Sequence, residues 1–237
     1  MSSPIDAPPH IDALLSRLHQ QSLDQEAAVK APSAATRFVS SDLTDLTPTA
    51  AEVPFDDLMR DKFIALDAAK GVFTYNLLRA TGATTVVEAG TSFGVSTIYL
   101  ALAVARNAAA MGKEGRVIGT EKEEGKAAEA RQYWRECGSE VEGVIDLRVG
   151  DLLETLKEGV AEVDCLLLDI WTPLALPTLK LVQPKMKKGA VVLADNTLTA
   201  AEGYKELLEY LRAPNSGFTN LTLPYDGGFE MSVYSPQ

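Results

Sequence analysis

From Thr84 onward, short apolar runs rich in β-branched residues alternate with longer helical patterns, and this alternation constrains the fold more than any other feature. "TTVVEAG", "RVIGTE", "VIDLRVG", "DCLLLDI" and "AVVLADN" read as strands. Between them, "GVSTIYLALAVARNAA", "EGKAAEARQYWREC" (ended by Gly138), "DLLETLKEG" and "LALPTLKLVQPKMKK" read as helices. The helix "AAEGYKELLEYLRA" follows, and "FTNLTLPY" and "FEMSVYS" close the chain as a hairpin around a short "DGG" turn. Apolar strands separated by helices imply a mainly parallel sheet covered on both faces. The expected fold is α/β and Rossmann-like: seven strands, with an antiparallel C-terminal hairpin. The "KMKK" stretch, Lys185 to Lys188, reads as the cationic end of a helix, complementing its dipole.

Ahead of this region, residues 1–50 read as a helical appendage and residues 51–237 as the main domain. The appendage carries one amphipathic helix, about Ile11 to Lys30, between connectors rich in proline, serine and threonine. Leu14, Leu15 and Leu18 give it a short apolar face suited to docking, so it is expected to serve as a dimer or lid element. A second long helix is expected from about Asp56 to Ala80, with Phe63, Ile64, Leu66 and Val72 at helical spacing.

Composition removes several classes of function. A formal charge of −11, from 33 acids and 22 bases, disfavours a nucleic-acid surface. The longest apolar runs, such as "YLALAVA", are too short to span a bilayer. The start "MSSPIDAPPHIDALL" lacks the basic opening of a signal peptide, and Cys137 and Cys165 form no metal or redox motif. A cytoplasmic, reducing setting is expected. The two histidines, His10 and His19, both lie in the appendage. A zinc site or Ser-His-Asp triad would have to be built there. Any chemistry in the main domain therefore runs on carboxylates, amides, lysines, a hard metal ion or a cofactor.

The loop after the first strand, "EAGTSFGVS", has Gly90 and Gly94 with three residues between, preceded by Glu88. A nucleotide-triphosphate loop would follow its last glycine with lysine, and Val95 stands there instead. A dinucleotide fingerprint would need G-x-G-x-x-G. The acid-x-Gly-x-x-x-Gly spacing resembles the first motif of Rossmann-like S-adenosylmethionine methyltransferases; the alternative is an ordinary tight β–α turn. A methyl donor's carboxylate suits the N–H groups at a helix start, with Ser92 and Ser96 as hydroxyl donors. The next two strands end in Glu121 and Asp151, placed for the ribose hydroxyls and the adenine amino group. Singly, each acid is also explained as a solvated strand end or a helix cap.

The fourth and fifth strands end in "LLLDIWTP" and "VVLADNTL", which brings Asp169, Asp195 and Asn196 to one sheet edge. Three oxygen donors with no histidine suit Mg²⁺; the alternative is that both aspartates cap helices. These segments look like the cation-dependent O-methyltransferases, the group of catechol and caffeoyl-CoA O-methyltransferases, over about Asp56 to Tyr234. The resemblance implies Asp169, Asp195 and Asn196 as ligands of Mg²⁺ or another divalent cation. It implies Glu88, Gly90, Ser92, Ser96, Glu121, Asp151, Asp169 and Trp171 around S-adenosyl-L-methionine. "DAAKGVF" resembles the family's segment ahead of the first strand, and "DGGFEMSVY" its last hairpin, with Glu230 where an acid contacts a substrate hydroxyl.

One position departs from the family. Three residues after the first metal aspartate a lysine is common as general base, and here Thr172 stands there. A threonine takes no proton near neutral pH. Lys62 and Lys70, on the helix ahead of the first strand, are the replacement candidates. The expected activity is cation-dependent methylation of a small vicinal dihydroxy aromatic: catechol, pyrogallol or a flavonoid-like phenol. No nucleic-acid or membrane partner is expected, and a homodimer is. The rival readings are a metal-independent methyltransferase, a nicotinamide dehydrogenase (disfavoured by the glycine spacing), and a cofactor-binding partner protein without turnover.

Overall fold

The computed structural model describes residues 3–30 and 62–236. Residues 31–50 of the expected appendage, and the expected boundary at residue 51, lie outside them. The first helix, α1 (Pro9–Lys30), matches the expected span. Its apolar face is covered by this chain itself. Ile11, Leu14, Leu15 and Leu18 are buried in the same core as Phe63, Ile98 and Leu102. Arg17 reaches Glu136 at 2.9 Å, and His10 Nε2 lies 3.2 Å from the Cys137 carbonyl.

The second helix, α2, is Ala68–Thr81, and residues 62–67 ahead of it are not helical. The expected start at about Asp56 lies outside the described residues. Asp67 explains the observed start: its carboxylate accepts the N–H groups of Ala69 at 2.8 Å and Lys70 at 3.3 Å, which is an N-cap. Gly82, in the left-handed region at φ 68°, ends the helix.

Strands and helices then alternate: β1 (Thr85–Ala89), α3 (Val95–Met111), β2 (Arg116–Glu121), α4 (Glu124–Cys137), α5 (Ser139–Glu142), β3 (Ile145–Val149), α6 (Leu152–Thr155), β4 (Val163–Leu168), α7 (Thr172–Val182) and β5 (Met186–Asp195). After α8 (Lys205–Arg212) come β6 (Phe218–Leu223) and β7 (Phe229–Tyr234). The seven strands stand in the order β3-β2-β1-β4-β5-β7-β6. All neighbours are parallel except β5 with β7 and β7 with β6.

Alternation along each strand sorts side chains to two cores. Val86, Cys165, Leu167, Val191 and Leu193 face α1 to α4, whereas Val87, Leu166, Leu168, Val192 and Ala194 face α7 and α8. The "KMKK" lysines do not close a helix. After α7 the chain makes a 3-10 turn at Gln183–Lys185, where Pro184 lacks an N–H for continued helix, and Met186 opens β5. Lys187 pairs with Asp164 at 2.7 Å, and Lys185 donates to the Leu156 and Lys157 carbonyls. Likewise, turns occupy the chain from Leu198 to Tyr204 before α8 begins at Lys205. Among the described residues, no helix is long and apolar enough to cross a membrane.

Candidate active site at the carboxyl edge of the sheet

β1 and β4 lie side by side, and their following helices lead to opposite ends of the sheet, so the chain diverges between them. Open α/β sheets bind ligands at such a switch point. The Asp169 N–H donates to the Ala89 carbonyl across this gap at 3.0 Å. Gly90 follows at φ 91°, and a Cβ there would stand 2.0 Å from the Asp169 carbonyl oxygen. No side chain fits between two backbones so close, so Gly90 has a packing reason independent of any ligand. Gly94, the N-cap of α3 at φ 76°, lies against Trp134, whose indole N–H donates to the Gly94 carbonyl at 3.0 Å.

Glu88 organises this loop. Its carboxylate is fully buried and accepts hydroxyl hydrogens from Thr91 at 2.8 Å, Ser96 at 2.6 Å and Thr97 at 2.6 Å. Burial pushes the Glu88 carboxyl up, and these three donors pull it back. Glu121 accepts the Ser92 N–H on Oε2 at 2.7 Å and the Glu123 N–H on Oε1 at 2.8 Å. Ser92 itself holds φ 49°. Asp151 caps α6 by accepting the Leu153 N–H at 2.9 Å, and the preceding Gly150 N–H donates to the Glu121 carbonyl. Glu88, Gly90, Ser92, Ser96, Glu121 and Asp151 thus line one edge, with Ser96 turned toward Glu88.

Asp169 and Asp195 form a second cluster on that edge. Leu168 pairs with Ala194 in register, which brings the next residues, Asp169 and Asp195, alongside. Lys70 reaches them from α2: its buried ammonium donates to Asp195 Oδ1 at 2.5 Å and lies 5.8 Å from the centre of the Phe229 ring. Asn196, at φ 60°, donates its own N–H to Asp195 Oδ1 and its amide N–H to Oδ2. Among the described residues the Asp169 carboxylate receives no hydrogen bond. Burial, with the charges of Asp195 and Glu88, pushes Asp169 up to about 8 against the pull of Lys70. Asp195 is pushed up by burial and held back by Lys70 and the Asn196 N–H. Trp171 stands 42 % exposed at the start of α7.

Two sequence candidates are not brought to this cluster. Lys62 lies in the non-helical segment before α2 and makes no contact with Asp169 or Asp195. Glu230 pairs with Ala194 in register and so faces α8, where Arg212 binds both its oxygens at 2.8 Å and Thr222 donates at 2.5 Å. The family lysine position is also occupied differently: Thr172 packs on Gly203, where an added Cβ would stand 2.2 Å from Thr172 Oγ1.

The residues that sequence reasoning missed are the partners of the acids. Thr91 and Thr97, the loop aromatic Phe93, and Thr197, whose Oγ1 is buried without a partner among the described residues, carry no motif of their own.

As for a divalent cation, among the described residues no group of three or more His, Cys, Asp or Glu side chains is gathered as a cage. The available set is two carboxylates and one amide, all hard oxygen donors. Among the described residues it faces one ammonium, on Asp195, and a divalent cation would replace the proton that the raised Asp169 carboxyl keeps near neutral pH. The donor chemistry fits such an ion.

Comparison with known proteins agrees with this geometry. Residues 87–197 match the family model described as a methyltransferase domain. No curated protein sequence matches the chain. Among solved structures, an O-methyltransferase of Bacillus cereus in complex with S-adenosylhomocysteine superposes with TM-score 0.65 at 20% identity, covering 94% of this chain and 91% of the other. The O-methyltransferase TomG of Streptomyces achromogenes, in complex with S-adenosylmethionine, gives 0.64 at 24% identity over 76% and 86%. The S-adenosylhomocysteine-bound methyltransferase PaMTH1 of Podospora anserina gives 0.65 at 13% identity over 97% and 89%. Residues 87–197 are thus similar to a methyltransferase domain, and the chain has the class I methyltransferase fold that these cofactor-bound structures share.

Proposed function

We propose that this protein is an S-adenosylmethionine-dependent O-methyltransferase. Its acceptor is one hydroxyl of a vicinal dihydroxy aromatic, and Asp169, Asp195 and Asn196 hold a divalent cation such as Mg²⁺. The observation that carries this reading is the juxtaposition of Lys70 with Asp195 beside Asp169, on the same sheet edge as the glycine loop. The loop takes the methionine end of the cofactor, Glu121 the ribose hydroxyls, and Asp151 the adenine side; Trp171 walls the mouth.

In the reaction the acceptor oxygen attacks the methyl carbon, the carbon–sulfur bond breaks with its electron pair going to sulfur, and the phenolic proton leaves the acceptor. Asp169, Asp195 and Asn196 would hold a divalent cation, which would supply Lewis-acid chemistry that lowers the pKa of an acceptor hydroxyl. The protein's share is to align oxygen, methyl and sulfur and to exclude water. Lys70, an ammonium, balances the charge on the acceptor oxygen as its proton leaves to solvent, in place of the family lysine at Thr172. Lys62 and Glu230 have no part in this set.

A second reading is favoured by one contact. The Lys70 ammonium already sits on Asp195 Oδ1, so Lys70 alone would stabilise the phenolate in a metal-independent enzyme. The test is methyl transfer to catechol and pyrogallol-type phenols with Mg²⁺ and with EDTA, for the wild type, Lys70→Ala and Lys62→Ala. Activity lost with EDTA and with Lys70→Ala, but kept with Lys62→Ala, is the expected result. Activity indifferent to EDTA yet lost with Lys70→Ala selects the metal-independent reading. Full activity in Lys70→Ala overturns the role given to Lys70 in both.

A further inference from the structure

The segment between Lys62 and Asp67 has no regular secondary structure, so its backbone N–H groups need partners from elsewhere. Two of them are taken by side chains of α1. Gln25 Oε1 accepts the Phe63 N–H at 2.8 Å, and the buried Ser22 Oγ accepts the Ala65 N–H at 2.9 Å.

The strap held this way touches the cofactor machinery at both ends. The Phe63 side chain, 1 % exposed, stacks on Phe93 with ring centres 4.6 Å apart and planes at 29°, and Tyr133 packs edge-on to it. Phe93 is the residue before Gly94 in the glycine loop, so Phe63 braces that loop from outside the sheet. At the other end of the strap, Asp67 caps the helix that carries Lys70. α1 is itself anchored to α3, where His19 Nε2 lies 2.9 Å from the Tyr99 hydroxyl, and the Tyr99 ring packs against Gly71 on α2.

We propose that Ser22 and Gln25 are positioning residues for the methyl-donor site: through the Phe63–Ala65 backbone they hold Phe63 against Phe93 and so set the conformation of the glycine loop. The inference rests on that loop being the cofactor loop, and is independent of the metal. It gives the N-terminal helix a task within its own chain. The helix completes one wall of the cofactor site from more than sixty residues upstream in sequence.

The experiment is calorimetric titration of full-length protein with S-adenosylhomocysteine, alongside urea unfolding of each variant. Gln25→Leu and Ser22→Ala each remove one acceptor, and each is expected to weaken binding by about three- to tenfold, the effect of losing one modest hydrogen bond. Gln25→Glu and Ser22→Thr keep an acceptor oxygen and restore affinity. Gln20→Ala, which cuts an exposed hydrogen bond to Asp24 on the same helix, leaves affinity unchanged. In turnover, KM for the methyl donor rises while kcat holds. A merely structural role would shift the urea midpoint of Gln25→Leu and Ser22→Ala and leave the affinity of the folded protein intact, and that result overturns the proposal. A wild type that binds no S-adenosylhomocysteine overturns the cofactor reading itself, whereas wild-type binding with unaltered variants overturns the positioning role alone.

Discussion

Two acids at the same sheet edge, Glu88 fully buried and Asp169 half-buried, meet opposite treatment. Glu88 accepts hydrogen bonds from three hydroxyls of the loop and helix that follow it, and Asp169, one strand away, accepts none among the described residues. Burial pushes both carboxyls up, but only Glu88 is given local donors in return. A fully satisfied buried polar group rigidifies its surroundings, whereas a half-buried carboxyl without protein donors fixes none of its neighbours. The difference assigns Glu88 to building the glycine loop, and leaves Asp169 for the proposed cation.

The largest effect that follows is on turnover. Asp169→Asn keeps the shape and removes the charge, so methyl transfer is expected to fall by about a hundred- to a thousandfold, the cost typical of removing one electrostatic contact to a transition state. Its stability to urea at neutral pH is expected to hold or rise, because a carboxyl that folding forces to keep its proton above its ordinary value is gone. A variant that loses activity and unfolds together would place Asp169 among the structural acids after all. Glu88→Ala is the reverse case. It leaves three buried hydroxyls without their acceptor, at about 1–3 kcal/mol for an unsatisfied buried group before relaxation. The urea midpoint should drop clearly, and S-adenosylhomocysteine affinity should fall with it. Glu88→Gln, which keeps one acceptor oxygen, should lie between. Should Glu88→Ala unfold like the wild type, the hydroxyl cage is not what holds the loop.

How much of this contrast was legible in the sequence follows from the range of each interaction. Alternation of apolar strands and helices places Glu88, Glu121, Asp151, Asp169 and Asp195 at one edge, because in a parallel sheet every strand end reaches the same side. What one strand does to the next is harder to read. Glu230 is near the edge in sequence, but its pairing with Ala194 turns it to the α8 face and to Arg212, and register is a property of two strands. The start of α2 was masked by apolar residues at helical spacing. Phe63 and Leu66 look like a helix face, yet their spacing serves a strap buried beneath α1, and the local signal that outweighs them is Asp67 as cap. Lys70 was legible as a candidate and no more, because a lysine on a helix is ordinarily solvated. Only the tertiary contact with Asp195, 125 residues on, separates it from Lys62.

The smallest effect is a pH dependence that separates the two acids without touching activity. Burial raises the Glu88 carboxyl above its ordinary value of 4.5, so over the window above 4.5 the folded protein holds a proton that the unfolded chain has released. Stability from this group is fully present below 4.5 and is lost as the pH rises through the folded value. Urea midpoints measured from pH 4 upward on a metal-free sample should therefore show a declining component that Glu88→Gln removes. Asp169, raised to about 8, contributes a decline of the same sign that extends further upward, and Asp169→Asn removes that part. A decline that persists unchanged in Glu88→Gln, or in Asp169→Asn, shows that burial does not raise that carboxyl, and the account of that acid fails at its physical root.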